Sequence, residues 1–130
     1  MRKQFQLPEE DEQGLAALGL EWEAVIDAST KWLIVHGYPI PEGYNYRQAS
    51  AALRIPPSYP DDQIDMVYFS PALALTSGKI VRQLTPLVID GKPFQQWSRH
   101  RTGENPWRPG LDSVSTHFLQ VNNWLDRELA

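Results

Sequence analysis

Leu111, Val114, Phe118, Val121 and Leu125 recur at steps of three and four near the end of the chain. That spacing gathers them on one face of a helix and leaves Asp112, Ser115, Gln120, Asn122 and Asp126 to the water side. No other stretch constrains the fold as much, because a helix with one apolar face needs a core supplied by another layer. Trp107-Arg108-Pro109 leads into it. Proline is tolerated at a helix entry but not inside, and Asp112 or Ser113 stands where a side chain can cap the free amides. The pattern predicts a helix over 111–128.

The opposing layer is read as a sheet. A short first helix is predicted over 8–18: Pro8 suits the first turn, acids at 9–12 favour the positive end of the helix dipole, and Gly19 stops it. Gly14 works against this helix. Trp22–Asp27 and Lys31–His36 are short β-rich runs around Ala28-Ser29-Thr30, as in a hairpin. From Tyr46 to Ile55, Ala49, Ala51, Leu53 and Ile55 alternate with Gln48, Ser50, Ala52 and Arg54, the period of a half-buried strand. Ile64 to Phe69 gives a fourth. The expectation is α+β: a short N-terminal helix, a four-stranded antiparallel meander, an irregular stretch, and a C-terminal helix packed on the sheet against Ala51 and Leu53. One domain over 1–130, with a core of about 8–129, fits this length.

Ile55-Pro56-Pro57-Ser58-Tyr59-Pro60 separates the third and fourth strands with three prolines. Their fixed φ makes a stiff crossing, and Tyr59 is expected to pack down with its hydroxyl bonded. Leu87 to Asp90-Gly91 reads as a turn after a short strand. Residues 97–106 read as loop, and long ordered loops in compact domains often carry function.

There is no cysteine, which excludes disulfides, zinc–thiolate and iron–sulfur sites, and thiol nucleophiles. His36, His100 and His117 show no metal-ligand spacing, so no metal and no cofactor is expected. His36, on a strand, and His117, on the last helix, read as framework. No run is long and apolar enough to span a bilayer, and no apolar stretch follows Arg2-Lys3 as in a secretory signal, so a cytoplasmic location is the expectation. Residues 1–65 hold eleven acids against five bases, whereas 79–108 hold six bases against two acids. That basic segment either docks an acidic partner or pairs with the chain's own acidic N-terminal half. A nucleic-acid-binding module is a further reading, but no recognisable motif supports it.

The order of these elements resembles the ubiquitin-conjugating enzyme (UBC) superfamily. Two motifs carry the resemblance: the Tyr59-Pro60 crossing after the third strand, and Trp107-Arg108-Pro109 leading to Val114, Thr116 and Phe118. Gly19-Leu-Glu-Trp22, Tyr38-Pro-Ile-Pro41-Glu-Gly-Tyr44, Ile64-Asp65 and Trp97-Ser-Arg-His100 are similar to stretches of a bacterial branch, prokaryotic family E. Each short motif alone carries little; their order over residues 8–129 is what is specific. The resemblance implies a UBC-like fold and, as partners, a ubiquitin-like modifier, an adenylating activating enzyme and a JAB-type metallopeptidase.

The chain departs from that superfamily at its chemistry. Conventional members carry a nucleophilic cysteine a few residues before the tryptophan, and this chain has Ser98-Arg99-His100 there, with no His-Pro-Asn triplet ahead of it. A thiol, with a pKa of about 8.5, is readily deprotonated and gives a reactive acyl adduct, whereas serine needs a base and gives a sluggish ester. Ser98 with His100, or His100 alone, are the candidate catalytic residues of an unconventional acyl transferase. The leading expectation is a cysteine-less, pseudoenzyme-like component that binds the modifier or its activating enzyme. Trp97 is expected to anchor the loop on the core, with Arg99 and Arg101 exposed, and Arg99, His100, Arg101, Trp97 and Trp107 are the candidate binding residues for a carboxylate or acidic tail. The tips of Arg99 and His100 are expected to meet in a groove near Trp107.

Overall fold

The computed structural model describes residues 1–130. In chain order the elements are α1 (Glu9–Leu18), β1 (Trp22–Asp27), β2 (Thr30–Pro39), β3 (Gln48–Ile55), β4 (Val67–Ser70), β5 (Leu84–Ile89), β6 (Lys92–Trp97) and α2 (Val114–Leu129). The strands form one antiparallel sheet in the order β1-β2-β3-β4-β6-β5. The α+β class and both helices follow the sequence reading. No helix is long and apolar enough to cross a membrane.

The sheet has six strands, not the four expected. The extra pair, β5 and β6, turns at Asp90-Gly91, where both residues have positive φ. The turn and the short strand before it follow the sequence reading, but Pro86, Pro93, Gln95 and Gln96 interrupt the apolar alternation, so the full hairpin and β6 do not show. β6 also inserts between β4 and β5, a long-range pairing that no local pattern encodes.

α2 begins at Val114 rather than at residue 111. Ser113 caps it reciprocally: its hydroxyl accepts from Thr116 N–H, and Thr116 Oγ1 accepts from Ser113 N–H. Leu111 therefore lies in the preceding turn, 68% exposed. Val114, Phe118, Val121, Trp124 and Leu125 are buried on the sheet face that presents Leu33, Val35, Ala51, Leu53, Val67, Phe69 and Trp97. Tyrosines tie helix to sheet: Tyr38 stacks on Phe118 at 4.9 Å and donates to Asn122, and Tyr44 donates to Leu125 O. Tyr59 donates to Asp11 Oδ2 and accepts from Val114 N–H, joining α1, the proline crossing and the start of α2. Gly14 gains its reason here: a Cβ at that position would lie 2.6 Å from Ser115 Oγ.

The opposite sheet face is also apolar, with Val25, Trp32, Ile34, Ala52, Tyr68, Ile89 and Phe94 buried together. It is enclosed because the sheet curls. Asp90, on the β5–β6 turn, donates its N–H to Asp27 of β1, and Arg2 bridges Glu23 and Asp90. Contact between the two ends of the strand order requires strong twist and coiling.

Candidate functional site

β6 ends at Trp97, which is fully buried against Phe69 and Tyr44. Residues 98–113 then run irregularly to α2. Their first turn is fixed on both sides: Ser98 N–H donates to Gln83 O, and Met66 N–H donates to Arg99 O. Met66 holds a positive φ of 59° just before β4, and its carbonyl accepts from His117 Nε2 at 2.8 Å. A non-glycine residue in the left-handed region costs energy and persists where its surroundings over-determine it. Loop, β4 and α2 are thus joined through one residue.

The loop's side chains diverge instead of meeting. Arg99 lies over the Trp97 ring, donates to Arg82 O at 3.2 Å, and stands 3.7 Å from Glu128 near the end of α2. Arg101 turns the other way, over Trp107, 3.6 Å from Asp112 before the start of α2. The expected meeting of Arg99 and His100 beside Trp107 does not form, because Glu128 and Trp97 draw Arg99 aside. The expectation that Arg99 and Arg101 are exposed fails too: their side chains are 16% and 4% exposed, and Arg101 Nε and Nη2 have no partner. Trp107 is half-buried, donates its indole N–H to Pro60 O at 2.9 Å, and lies 6.2 Å from the Tyr59 ring. The two sequence motifs therefore touch.

Only His100 of this group reaches well into solvent, with 61% of its side chain exposed. Its Nδ1 lies 2.7 Å from Asp65 Oδ2, which leaves Nε2 free. Ser98 does not pair with it; Ser98 Oγ accepts from Gln96 Nε2 at 3.1 Å. The structure thus separates Ser98 from His100 and couples His100 to Asp65, thirty-five residues upstream. Asp65 belongs to the Ile64-Asp65 stretch, but as one polar residue among alternating ones it gives no sign of this pairing.

Beneath the loop lies a buried polar layer of Arg101, Asp112 and His117. Burial pushes the Asp112 carboxyl up, but the Arg108 amide, Thr116 and the guanidinium groups of Arg101 and Arg108 outweigh it and hold it below the usual range. Burial pushes His117 down to about 4, against the opposing pull of Met66 O. His117 is a neutral framework residue at ordinary pH. On the other sheet face His36 links Ser50 Oγ (2.9 Å) to Glu23 (2.8 Å). Ser50 sits within central strand β3, paired on both sides, and Glu23 is shared with Arg2. This chain of bonds ties the strands together, in keeping with a framework role for His36. No group of three or more histidine or acidic residues is placed to hold a metal ion.

The basic segment meets the C-terminal part of the chain rather than the acidic N-terminal half. Lys79 donates to Glu128 O and Ala130 O, Arg99 faces Glu128, and Arg101 and Arg108 face Asp112.

The family model described as Prokaryotic E2 family E matches residues 7–128. No curated protein and no solved structure matches the chain.

Proposed function

Because the chain belongs to prokaryotic E2 family E, we propose that it works as a cysteine-less E2-like adaptor in a bacterial ubiquitin-like modification pathway, binding the modifier or its adenylating activating enzyme without carrying a thioester. One observation carries this reading: the chain has no cysteine, while the loop before Trp107 is braced to β4, α2 and the Tyr59-Pro60 crossing. A loop braced at its base, with His100 and the 102–104 turn exposed, suits recognition, since fixed side chains lose little entropy on binding. Arg101 acts from beneath as a support, with Trp107 beside it.

Isothermal titration of the full chain against a modifier and against an activating enzyme encoded beside it tests the reading. The expected result is measurable binding of one of them and, with ATP and both present, no reductant-sensitive adduct. Absence of binding to both, or loss of neither binding nor cellular function in His100→Ala, overturns it.

A second reading is favoured by the Asp65–His100 pair. A carboxylate that holds Nδ1–H leaves Nε2 with its lone pair outward, the arrangement of a general base or an acyl acceptor. Nε2 would attack the carbonyl of the modifier's thioester on the activating enzyme, expelling the thiolate. A substrate amine would then attack the acyl carbon, expelling neutral imidazole and releasing its surplus proton to solvent, while Asp65 holds the Nδ1 proton throughout. A hydroxylamine-labile adduct that His100→Ala abolishes and Ser98→Ala keeps would establish it.

A further inference from the structure

The two edges of the sheet differ. β1 is covered along part of its length by the N-terminal segment, where Gln4 N–H donates to Ala24 O and Ala24 N–H donates to Arg2 O. β5, at the other edge, pairs only with β6. Ser98 N–H donates to Gln83 O at 3.0 Å, which makes that pair a hydrogen-bonded one. By alternation along the ladder, Thr85, Leu87 and Ile89 then exchange bonds with Gln96, Phe94 and Lys92. Leu84, Pro86 and Val88 turn their main-chain groups away from the sheet. Pro86 occupies an outward position, where its missing N–H takes nothing from the ladder.

An open groove of about 460 Å³ lies beside this edge, lined by Pro71, Leu84, Pro86, Pro93 and Phe94. Val88 is 67% exposed, and Ile80, just before the strand, 81%. The charge along it is mainly positive, and Asp90 on the adjoining turn is already held by Arg2. No acid occurs from Met66 to Ile89, and the exposed Arg82 and Lys92, near the two ends of β5, form no ion pair. A second copy suits the edge less well. Two-fold pairing centred on Pro86 would oppose two residues without an N–H, at the pair where the ladder needs both.

We propose that the outer edge of β5 is a docking strand for an extended segment of a partner protein that carries carboxylates beside apolar side chains. Main-chain bonds to Leu84, Pro86 and Val88 supply the pairing, the groove takes an apolar side chain, and Arg82 and Lys92 select acids. This site adjoins the loop through the main chain of Arg82 and Gln83 but does not depend on the adaptor reading.

The test uses the isotopically labelled full chain and two end-blocked peptides of equal length, one alternating Val with Asp and the other Val with Lys. The expected result is that the Asp peptide shifts the Leu84 and Val88 amides and protects them from exchange, and that the Lys peptide does not. Arg82→Glu with Lys92→Glu should weaken the Asp peptide by at least about tenfold, or 1.4 kcal/mol, and favour the Lys peptide. Val88→Pro, which deletes an outward N–H, should abolish binding, with both variants shown folded by unchanged Trp97 and α2 resonances. No binding of the Asp peptide, equal binding of both peptides, shifts confined to other elements, or a β5-mediated dimer that the Asp peptide does not disrupt would overturn the proposal.

Discussion

His117 donates through Nε2 to the main-chain carbonyl of Met66, at 2.8 Å and shut away from solvent. That bond fixes the tautomer and leaves Nδ1 as a buried acceptor without a partner. The same Met66 receives the site loop through Arg99 O, so helix and loop are held at one point, and protonation of His117 would strain both.

A pH dependence of stability follows. His117 is pushed down to about 4 in the fold, from an ordinary value of 6.5, so between those values the unfolded chain binds the extra proton. Stability therefore falls as pH drops from about 6.5 to about 4, by on the order of 3 kcal/mol over the whole window. Glu23, Asp90 and Asp112 are held below their usual values and add losses only below about pH 4.5, while Asp11, raised by burial, works in the opposite direction above its ordinary value. Urea midpoints at pH 7.5, 6 and 5 should decline in the wild type and stay nearly level in His117→Gln. An equal decline in both would assign the effect elsewhere.

Phe118→Ala should cost about 3 to 5 kcal/mol, the range for emptying a buried aromatic site. Phe118 is 5% exposed and stacks on Tyr38. Equilibrium unfolding at pH 7.5 measures the loss, and a value below about 1.5 kcal/mol would mean that the helix re-seats on the sheet.

Tyr59→Phe should destabilise by about 1 to 3 kcal/mol, since Asp11 loses a donor and Val114 N–H an acceptor in a shielded place. Asp11→Asn should be non-additive with it, because both act at the same junction; a double-mutant cycle checks this, and simple additivity would contradict it.

What the sequence disclosed divides along the range of the contacts. Periodicity located α2 and the first four strands, because one-sided burial writes itself into local spacing. Asp90-Gly91 disclosed the turn and the short strand before it, but β6 and its pairing were missed, since prolines fall at positions that do not bond β6 to β5 and Gln95 points its amide at the Leu73 backbone. Trp97 as anchor was legible from its size and apolarity. The divergence of Arg99 and Arg101 was not, since it depends on Glu128 and Asp112 at opposite ends of a helix. His100 stood out by residue type, but Asp65 did so only once β4 brought it alongside.

Arg101 gives the sharpest test of how the loop is supported. Its guanidinium is buried over Trp107 with one ion pair, to Asp112 at 3.6 Å, and with Nε and Nη2 unpaired. A half-satisfied buried charge recovers little of its desolvation penalty, so an apolar residue of similar volume should serve as well or better. Because Asp112 keeps the Arg108 guanidinium and N–H, Arg101→Met is expected to be close to neutral. Asp112→Ala should instead cost about 3 to 5 kcal/mol, because it strands the guanidinium and frees the Arg108 N–H that Asp112 Oδ2 accepts at 2.7 Å. Arg101→Ala falls between, losing the packing on Trp107 while Asp112 keeps Arg108 as its partner. Urea unfolding of the three variants gives the order, and titration with the activating enzyme gives the functional half. If Arg101→Met keeps both stability and partner affinity, the residue is a support. If it keeps stability and loses affinity by tenfold or more, the guanidinium swings out to meet the partner, and the closed loop seen here is its resting form.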